Sequence, residues 1–290
     1  MIIYLLTVNY YSTALISRLL ASLPKLGEIA YEIVIINNST DDQEIAQIQG
    51  DNIHLLQARD NLGFGKACNL GLNWIYSRNP TSLVWLVNPD AYLLEDSLTQ
   101  SVHSLTQSVQ FFENYPEVAI AGTEIYEPDG KIWFGWGKFI ESSGTIIVVE
   151  ESAEYNCQPY LVADWVTGCS LLINLPHFPE CPQFDTDYFL YYEDFDFSRR
   201  YAKQGYLVVV TNQVKIIHEP SSITLRYGYL RLTHNIYSYL LSLEKHSTSF
   251  LLWTRFLRMI VMALAIFPLK PKFALAKLKG ITLYTQRLLC

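Results

Sequence analysis

From residue 1 to about residue 90 the chain alternates between apolar, β-rich runs and helix-like stretches, and this alternation restricts the fold more than any other feature. Strand and helix segments repeating at this spacing predict parallel βαβ units with right-handed crossovers. We therefore expect an α/β fold with a mixed, mostly parallel sheet flanked by helices. The predicted strands are Ile2–Val8, Glu32–Ile36, Ile53–Leu56 and Leu83–Val87, and the predicted helices are Ser12–Leu23, Asp41–Ile48 and Phe64–Tyr76.

Polar clusters follow three of these strands: residues 7–9 (TVN), 37–41 (NNSTD) and 88–90 (NPD). Ligands of open α/β sheets bind in the crevice beyond the carboxyl ends of the strands. The topology alone therefore predicts a binding crevice lined by these loops.

The pattern changes after a helical stretch near Glu95–Phe112. YEPDGKIWF (residues 126–134) reads as two short strands around a Pro-Asp-Gly turn, and mixed or antiparallel pairing is expected from here on. A helix is expected to run to Gln204 and to end at Gly205. The further predicted strands are Thr145–Val149, Ser170–Ile173, Tyr206–Val210 and Val214–Ile217.

FLYYEDFDFSRRY, residues 189–201, places Glu193, Asp194 and Asp196 among aromatic side chains. A carboxylate beside apolar rings loses hydration and needs a partner, a metal or a chemical role. The alternative is that these acids only open a helix, since helix N-termini favour negative charge.

Residues 225–290 differ from the rest of the chain in charge. They hold ten Lys or Arg and one acid, Glu244, so this segment is +9 and residues 1–224 are −16. Such a split predicts two surfaces with two different partners. We therefore expect an α/β domain at residues 1–224 and a helical, basic and apolar segment at residues 225–290.

The apolar part of this segment, residues 250–269, contains Arg255 and Arg258. A membrane-spanning helix needs about 20 mostly apolar residues, and a central Arg costs about 2.5 to 3.5 kcal/mol on insertion scales. We expect the segment to lie in a membrane interface; the alternatives are a helical pair packed on the α/β domain and, less favoured, a spanning helix. The lysines expected near anionic headgroups are Lys270, Lys272, Lys277 and Lys279.

Composition also limits the partners and the compartment. The acidic α/β domain argues against nucleic acid binding, because neutralising phosphates requires Lys and Arg. The N-terminal MIIYLLTV begins a strand without the basic region of a signal peptide, so we expect a cytoplasmic protein. The cysteines form no C-x-x-C pair, which argues against a zinc site or a disulfide framework. They are Cys68, Cys157, Cys169, Cys181 and Cys290.

Asp90 and His218 each end an apolar strand and are candidates for binding a divalent cation. A carboxylate in the predicted crevice is suited to hold Mg²⁺ or Mn²⁺ against a diphosphate, because hard cations prefer oxygen ligands. Taken alone, Asp90 also fits a turn residue or a helix cap. His218 alone also fits an ordinary core or surface histidine.

Seven stretches, in this order, resemble the family 2 nucleotide-sugar glycosyltransferases of the GT-A fold, and in particular their rhamnosyltransferase-like branch. Together the stretches cover almost all of residues 1–224, and their order makes the resemblance specific. They are TVNYYS (7–12), VIINNSTD (34–41), NLGFGKACNLG (61–71), LVNPDA (86–91), DWVTGCSLLI (164–173), FDTDYFLYYEDFDFSRRYAKQGY (184–206) and VKIIHEPSSIT (214–224).

The resemblance implies a catalytic base and a metal site. Such enzymes move a sugar from a nucleoside diphosphate to an acceptor hydroxyl with inversion, and the base maps to Asp194, with Glu193 as its competitor. The metal position maps to Asp90 and His218, and Asn88 replaces the first acid of the family's D-x-D pattern.

The resemblance also implies binding residues for the two substrates. Trp165, Thr167 and Gly168 match the acceptor-side motif. Asn37 stands where many members carry an aspartate that pairs with the nucleotide base. The donor nucleotide is expected near Thr7, Asn9, Asn37, Asn61, Gly63 and Asn88.

The sequence thus predicts a metal-dependent, inverting glycosyltransferase with Mg²⁺ or Mn²⁺, which builds a glycan or a lipid-linked glycan on the cytoplasmic face of the membrane. Rhamnose from a thymidine diphosphate donor is the first expectation, and it rests on the resemblance alone. The competing hypothesis is a non-catalytic member that binds nucleotide sugars or acts as a scaffold. A homodimer is left open.

Overall fold

The computed structural model describes residues 1–24, 30–93, 98–151, 158–219 and 228–289, with the backbone alone for residues 98–103. The strands of the described chain are β1 (Ile3–Asn9), β2 (Tyr31–Asn37), β3 (Ile53–Gln57), β4 (Leu83–Val87), β5 (Ala91–Tyr92), β6 (Val118–Tyr126), β7 (Ile132–Phe134), β8 (Trp136–Ile140), β9 (Thr145–Val149), β10 (Leu161–Val162), β11 (Ser170–Asn174) and β12 (Leu207–His218). The α-helices are α1 (Thr13–Ala21), α2 (Phe64–Arg78), α3 (Leu98–Asn114), α4 (Glu193–Lys203), α5 (Gly228–His246), α6 (Ser249–Ile266) and α7 (Pro271–Leu289).

A central sheet of ten described strands organises the fold, in the order β10-β12-β6-β11-β4-β1-β2-β3, with β5 beside β12 and β7 beside β6. Strand β1 is parallel to β2 and β4, and β2 is parallel to β3. Every residue of β1 and of β4 is buried, as expected for parallel strands that are covered on both faces. The βαβ architecture predicted for the first third of the chain is confirmed.

Strand β11 makes the sheet mixed, because it is antiparallel to both β4 and β6. Strand β12 returns to the parallel direction beside β6, with a register shift between Thr211 and Lys215. The strands predicted at Tyr206–Val210 and Val214–Ile217 are therefore one strand with an irregularity. The long ladders are parallel and the sheet is mixed, which confirms the predicted fold class.

The short strand β5 connects two loops that are far apart in the chain. It runs antiparallel to the end of β12, with Ala91 opposite His218. Because Asp90 directly precedes Ala91, this pairing places Asp90 beside the end of β12. A two-residue strand carries no periodicity, and the sequence did not predict it.

The helix predicted at Asp41–Ile48 is wrong, since only Glu44–Gln47 is helical and it forms a 3₁₀ turn. The Asp42 carboxylate accepts hydrogen bonds from the Asn9 side chain at 2.8 Å and from the Thr13 hydroxyl at 3.0 Å. These bonds tie the segment to β1 and α1, and side-chain bonds of this kind compete with a regular helix.

Some predictions fall wholly or partly outside the described residues. These are the start of the helix expected at Glu95–Phe112, the end of the motif at residues 214–224, the boundary between residues 224 and 225, and the state of Cys157 and Cys290. The three described cysteines are free.

The C-terminal segment is helical as predicted, and its first helix, α5, packs on the α/β body. Asp196 of α4 is buried, and its carboxylate lies 2.8 Å from His246 Nε2 of α5 and 3.0 Å from Arg200 Nε. The Ser238 hydroxyl of α5 donates to the Leu190 carbonyl at 2.8 Å. Asp196 therefore joins α4 to α5, and α5 reaches the segment that precedes α4.

Helix α6 presents an apolar surface to solvent. It has 18 residues with a mean hydropathy of 1.7, and within the described chain it is the one helix long and apolar enough to cross a membrane. The two arginines do not interrupt it, and Arg255 donates to the Ser143 carbonyl at 2.9 Å. The exposed apolar residues of α6 include Phe250, Trp253, Leu257, Val261, Met262 and Leu264.

Candidate active site

Two adjoining cavities lie at the carboxyl ends of the parallel strands. The first cavity, of about 330 Å³, is lined by residues that follow β1, β2 and β4. The second cavity, of about 410 Å³, lies between the start of α4 and the strands β7 and β9. Both volumes are in the range of small-molecule sites. The cavities share the residues Phe64, Asn88, Asp90, Leu190, Tyr191 and Arg231.

Asn61, Gly63 and Asn88, which the resemblance assigns to the donor nucleotide, line the first cavity. The Asn38 side chain donates to Asn61 Oδ1 at 3.1 Å and to the Gly63 carbonyl at 3.2 Å, which fixes this loop. Gly63 has a φ of 78°, and a Cβ atom there would lie 2.2 Å from the Phe189 carbonyl oxygen. Only glycine fits this position.

Thr7, Asn9 and Asn37 are buried beneath the first cavity and do not line it. Asn9 donates to Asn37 Oδ1 at 3.0 Å, and Asn37 donates to Gln57 Oε1 at 2.7 Å. These amides hold the loops after β1 and β2 together. Their neighbours in the chain, Val8, Tyr10 and Asn38, line the cavity instead.

Asp90 and His218 lie side by side on the wall of the second cavity. The Asp90 Oδ1 and His218 Nε2 atoms are 3.2 Å apart, and both side chains are about nine-tenths buried or more. Oδ1 nevertheless has no hydrogen-bond partner, so the two atoms meet without an aligned hydrogen bond. A buried carboxylate oxygen without a partner is costly unless a ligand or an ion completes the site.

This pair fits a divalent cation. Two neighbouring ligands of an octahedral Mg²⁺ are about 3 Å apart, because each lies about 2.1 Å from the ion. The described residues contain no group of three or more His, Cys, Asp or Glu that would hold a metal alone. Asp90 and His218 would therefore supply part of the coordination, and phosphate oxygens and water would supply the rest.

Asp194 lies on the second cavity, the same cavity that Asp90 lines, and is partly exposed there. Its carboxylate accepts hydrogen bonds from the Gly168 amide at 2.9 Å and from the Phe195 amide at 2.8 Å. Loss of hydration raises the pKa of Asp194, while these amides and the Thr167 hydroxyl oppose the rise. Burial thus makes this carboxylate a stronger base, and the hydrogen bonds favour its ionised form.

Glu193 has a different environment from its neighbour. It is 6% exposed, and its Oε2 atom has no hydrogen-bond partner. Burial, followed by the charge of Asp194, raises the pKa of Glu193 to about 8. At neutral pH these effects favour the protonated form of Glu193.

Two consecutive tyrosines with an unusual backbone conformation directly precede these acids. Tyr191 and Tyr192 have φ values of 70° and 64°, in the left-handed region that residues with a Cβ seldom occupy. The helix α4 begins directly after them, so Glu193 and Asp194 stand on its first turn.

The residues matched to the acceptor side surround Asp194. Gly168 and Thr167 bind its carboxylate as described, and Trp165 lines the second cavity. The Trp165 ring is mostly buried, 7% exposed, and packs against Phe134 with ring centres 5.2 Å apart. Trp165 is therefore both a core residue and part of the wall of the second cavity.

Helix α5 contributes cavity residues that the sequence analysis did not identify. Arg231 lines both cavities, His234 lines the first and Asn235 lines the second. Arg231 is exposed and forms no ion pair with a carboxylate of the described chain. Positions 231, 234 and 235 are three and four residues apart and therefore lie on one face of a helix. This spacing is the feature of the sequence that indicates a shared surface.

Among curated proteins, the chain is similar in sequence to a rhamnosyltransferase and to a hexosyltransferase. It is 26% identical to N-acetylglucosaminyl-diphospho-decaprenol L-rhamnosyltransferase of Mycobacterium tuberculosis, over 83% of each chain. It is 21% identical to the low-salt glycan biosynthesis hexosyltransferase Agl10 of Haloferax volcanii, over 74% of this chain and 66% of the relative. No protein-family model matches the chain.

The fold is that of glycosyltransferases of known structure. The crystal structure of GalNAc-T7 with UDP, GalNAc and Mn²⁺ matches 83% of this chain with a TM-score of 0.58 at 11% identity, and the chain spans 47% of its length. The mannosyltransferase PcManGT from Pyrobaculum calidifontis, in complex with GDP-Man and Mn²⁺, matches 98% of this chain and 86% of its own, with a TM-score of 0.55 at 11% identity.

These likenesses confirm the class predicted from the sequence, which is a protein with the GT-A glycosyltransferase fold. The similarity in sequence to the mycobacterial rhamnosyltransferase agrees with the rhamnosyltransferase-like branch that the sequence analysis named.

The raised pKa of Glu193 predicts how stability depends on pH. In the unfolded chain Glu193 ionises near its ordinary pKa of 4.5, and in the folded protein near 8. Between these values the folded state holds a proton that the unfolded state lacks, so rising pH lowers the free energy of unfolding. Glu193→Gln removes this cost, which is at most about 5 kcal/mol. We expect the stability gain of the variant to grow from pH 5 to pH 8 and to level off above pH 8.

Urea unfolding at pH 5, 6.5, 8 and 9 measures this gain. Glu113→Gln, at an exposed position on α3, is the matched control and should show no such trend. A difference between Glu193→Gln and the wild type that stays constant with pH would contradict the assignment.

Proposed function

We propose that the chain is a metal-dependent, inverting glycosyltransferase that moves a sugar from a nucleoside diphosphate to an acceptor hydroxyl. The observation that carries the proposal is that Asp90 and Asp194, from opposite parts of the chain, line one cavity. The adjoining first cavity, with Asn61 and Gly63 on its wall, is the proposed site of the nucleotide.

Asp194 is the proposed general base. A hydroxyl is a weak nucleophile, so its proton must be removed as it attacks the anomeric carbon of the donor sugar. The proton passes to the Asp194 carboxylate, a bond forms between the acceptor oxygen and the anomeric carbon, and the bond to the diphosphate oxygen breaks on the opposite face. The electron pair leaves with the nucleoside diphosphate, and the anomeric configuration inverts.

The different surroundings of the two adjacent acids support Asp194 over Glu193 as this base. Glu193, with a pKa of about 8, holds its own proton at neutral pH. Asp194 is stabilised as an anion by the Gly168 amide and keeps an open edge toward the cavity. Glu193 is then suited to donate a hydrogen bond, or to keep the local charge low.

Asp90 and His218 are the proposed ligands of Mg²⁺ or Mn²⁺. The ion would neutralise charge that develops on the departing diphosphate. Arg231 supports the same region, since its guanidinium lines both cavities and forks of this kind bind phosphate oxygens. The mannosyltransferase and GalNAc-T7 structures contain Mn²⁺ with a nucleotide or nucleotide sugar, which agrees with this assignment.

Rhamnose is the proposed sugar, because the chain is similar to the mycobacterial rhamnosyltransferase. Thymidine diphosphate is its proposed carrier, on the resemblance to the rhamnosyltransferase-like branch alone. The proposed acceptor is a glycan or a lipid-linked glycan on the cytoplasmic face of a membrane. Helix α6 supports a membrane location through its exposed apolar side chains, and four nearby lysines complement anionic headgroups. Because α6 also packs on α5 and α7, we favour a position on the membrane surface.

A non-catalytic nucleotide-sugar-binding protein is the second candidate. The same cavities would serve a binder, but a binder has no use for a hydrogen-bonded carboxylate in the second cavity. Turnover of a donor separates the two functions.

Asp194→Asn is expected to lower the rate at which nucleoside diphosphate is released from the donor by about a thousandfold, because the substitution removes the base. The measurement uses a panel of thymidine, uridine and guanosine diphosphate sugars with Mg²⁺ or Mn²⁺. Asp187→Asn removes a carboxylate that is paired with Lys245 and Arg287 outside the cavities, and it should keep wild-type turnover. Absence of turnover by the wild type with every donor would favour the non-catalytic function.

A nucleoside diphosphate should raise the melting temperature of the wild type, and should raise it further when Mn²⁺ is present. Asp90→Asn is expected to abolish this additional, metal-dependent rise. A ligand bound only by the folded state stabilises it by mass action, so loss of a metal ligand appears directly in a thermal-shift titration with Mn²⁺ or EDTA. Asn88→Asp restores a second acid beside Asp90 and should tighten Mn²⁺ binding. An Asp90→Asn variant with an unchanged Mn²⁺ response would place the metal elsewhere.

The double substitution Leu257→Gln and Val261→Gln is expected to release the protein from vesicles of phosphatidylglycerol, because it removes apolar area from the surface of α6. Flotation with vesicles measures bound and free protein. Val162→Gln alters a residue of equal exposure on β10 and serves as the control. Equal flotation of all three proteins would refute membrane docking through α6.

A further inference from the structure

A third cavity, of about 280 Å³, lies among the C-terminal helices. Three cations line it: Arg255 and Arg258 from α6, and Lys277 from α7. The rest of its lining is made by Tyr192, Asn235, Ile236, Tyr239, Met259 and Met262.

No carboxylate of the described chain forms an ion pair with these three cations. The one acid of the C-terminal segment, Glu244, is engaged with Arg287 and the Tyr284 hydroxyl. Arg255 donates to the Ser143 carbonyl, which binds but does not neutralise it. Three like charges around one concave surface repel one another and create a positive potential that attracts an anion.

The positive potential of these cations affects the pKa of the nearby Tyr239 phenol. Burial raises the pKa of Tyr239, while the charges of Arg255 and Arg258 lower it. The two guanidinium groups thus stabilise a negative charge placed inside the third cavity.

The position of the third cavity relates it to two other features. Tyr192 and Asn235 line both this cavity and the second cavity, where Asp194 lies. Met262 lines the third cavity and, at 41% exposed, also belongs to the apolar surface of α6. The third cavity therefore lies between the carboxylate of the proposed base and the proposed membrane-facing surface.

We propose that the third cavity binds the diphosphate of a lipid-linked acceptor, so that its sugar enters the second cavity and its hydrocarbon chain lies along α6. Guanidinium groups bind phosphate oxygens through paired hydrogen bonds, and a lysine adds a point charge. A free diphosphate would gain nothing from the adjoining apolar surface, whereas a lipid diphosphate uses both. This inference rests on the proposed function and assigns the residues that would hold the diphosphate of its acceptor.

The test compares two pairs of substitutions on the full chain. Arg258→Gln with Lys277→Gln removes two cations from the third cavity, and Lys270→Gln with Lys272→Gln removes the same charge from the chain outside it. The probe is farnesyl diphosphate, and binding is followed by tryptophan fluorescence in EDTA, which prevents capture of the diphosphate by a metal at Asp90. Melting temperatures of both variants establish that they fold.

The expected result is about tenfold weaker binding of farnesyl diphosphate by Arg258→Gln with Lys277→Gln and unchanged binding by the control pair, because each lost charge-assisted contact lowers affinity. Farnesol and inorganic pyrophosphate should each bind the wild type more weakly than farnesyl diphosphate. Equal binding of farnesyl diphosphate by both variants and the wild type would overturn the proposal. The proposal would also be overturned if both variants lost the same affinity for farnesyl diphosphate and the same affinity for phosphatidylglycerol vesicles. The cations would then serve only to bind a charged membrane surface.

Donor turnover separates this inference from the proposed function. Arg258→Gln with Lys277→Gln should raise KM for a farnesyl-diphosphate-linked sugar without lowering kcat. A wild type that binds farnesyl diphosphate through these cations but turns over no donor would retain the site and refute the proposed activity. A variant with lowered donor turnover and unchanged farnesyl diphosphate binding would refute the site and leave the activity.

Discussion

Three carboxylates lie within the first turn of α4, and the removal of their charges from water is the constraint that organises the structure around them. Each is accommodated differently. Asp194 is hydrogen-bonded by backbone amides, Glu193 keeps its proton, and Asp196 is paired with Arg200 and His246. The last pairing brings α5 against the body, and α5 then forms a wall of all three cavities. One short acidic stretch therefore helps to hold the first of the C-terminal helices, α5, against the body.

Much of the fold could be predicted from the sequence, because long apolar runs between turn signals leave few alternatives. The strands β4 and β9 have the predicted bounds, and β1 and β2 differ by a residue at their ends. The failures have local causes. The segment at Asp41–Ile48 lost its helix to the side-chain bonds of Asp42, and the two-residue strand β5 depends on a partner far along the chain. Neither effect is visible in periodicity.

The candidate site was predictable in outline and less so in detail. Placement of Asp90 and Asp194 on one cavity follows from strand topology and from the resemblance. Topology cannot tell which polar side chain of a loop faces a ligand and which faces the protein, so Asn9 and Asn37 were expected in the site but form the network beneath it. Arg231 was overlooked because its segment was interpreted through charge and hydropathy, and not as a helix face that reaches the crevice.

The left-handed backbone at Tyr191 and Tyr192 has a consequence for the proposed base, Asp194. Conformations of this kind cost of order 1 to 3 kcal/mol each and persist only where the surrounding packing imposes them. That cost is met once, during folding, so the carboxylate of Asp194, the proposed base, is held in position before any substrate binds. Preorganisation of this kind is how protein sites lower the reorganisation energy of a charged transition state.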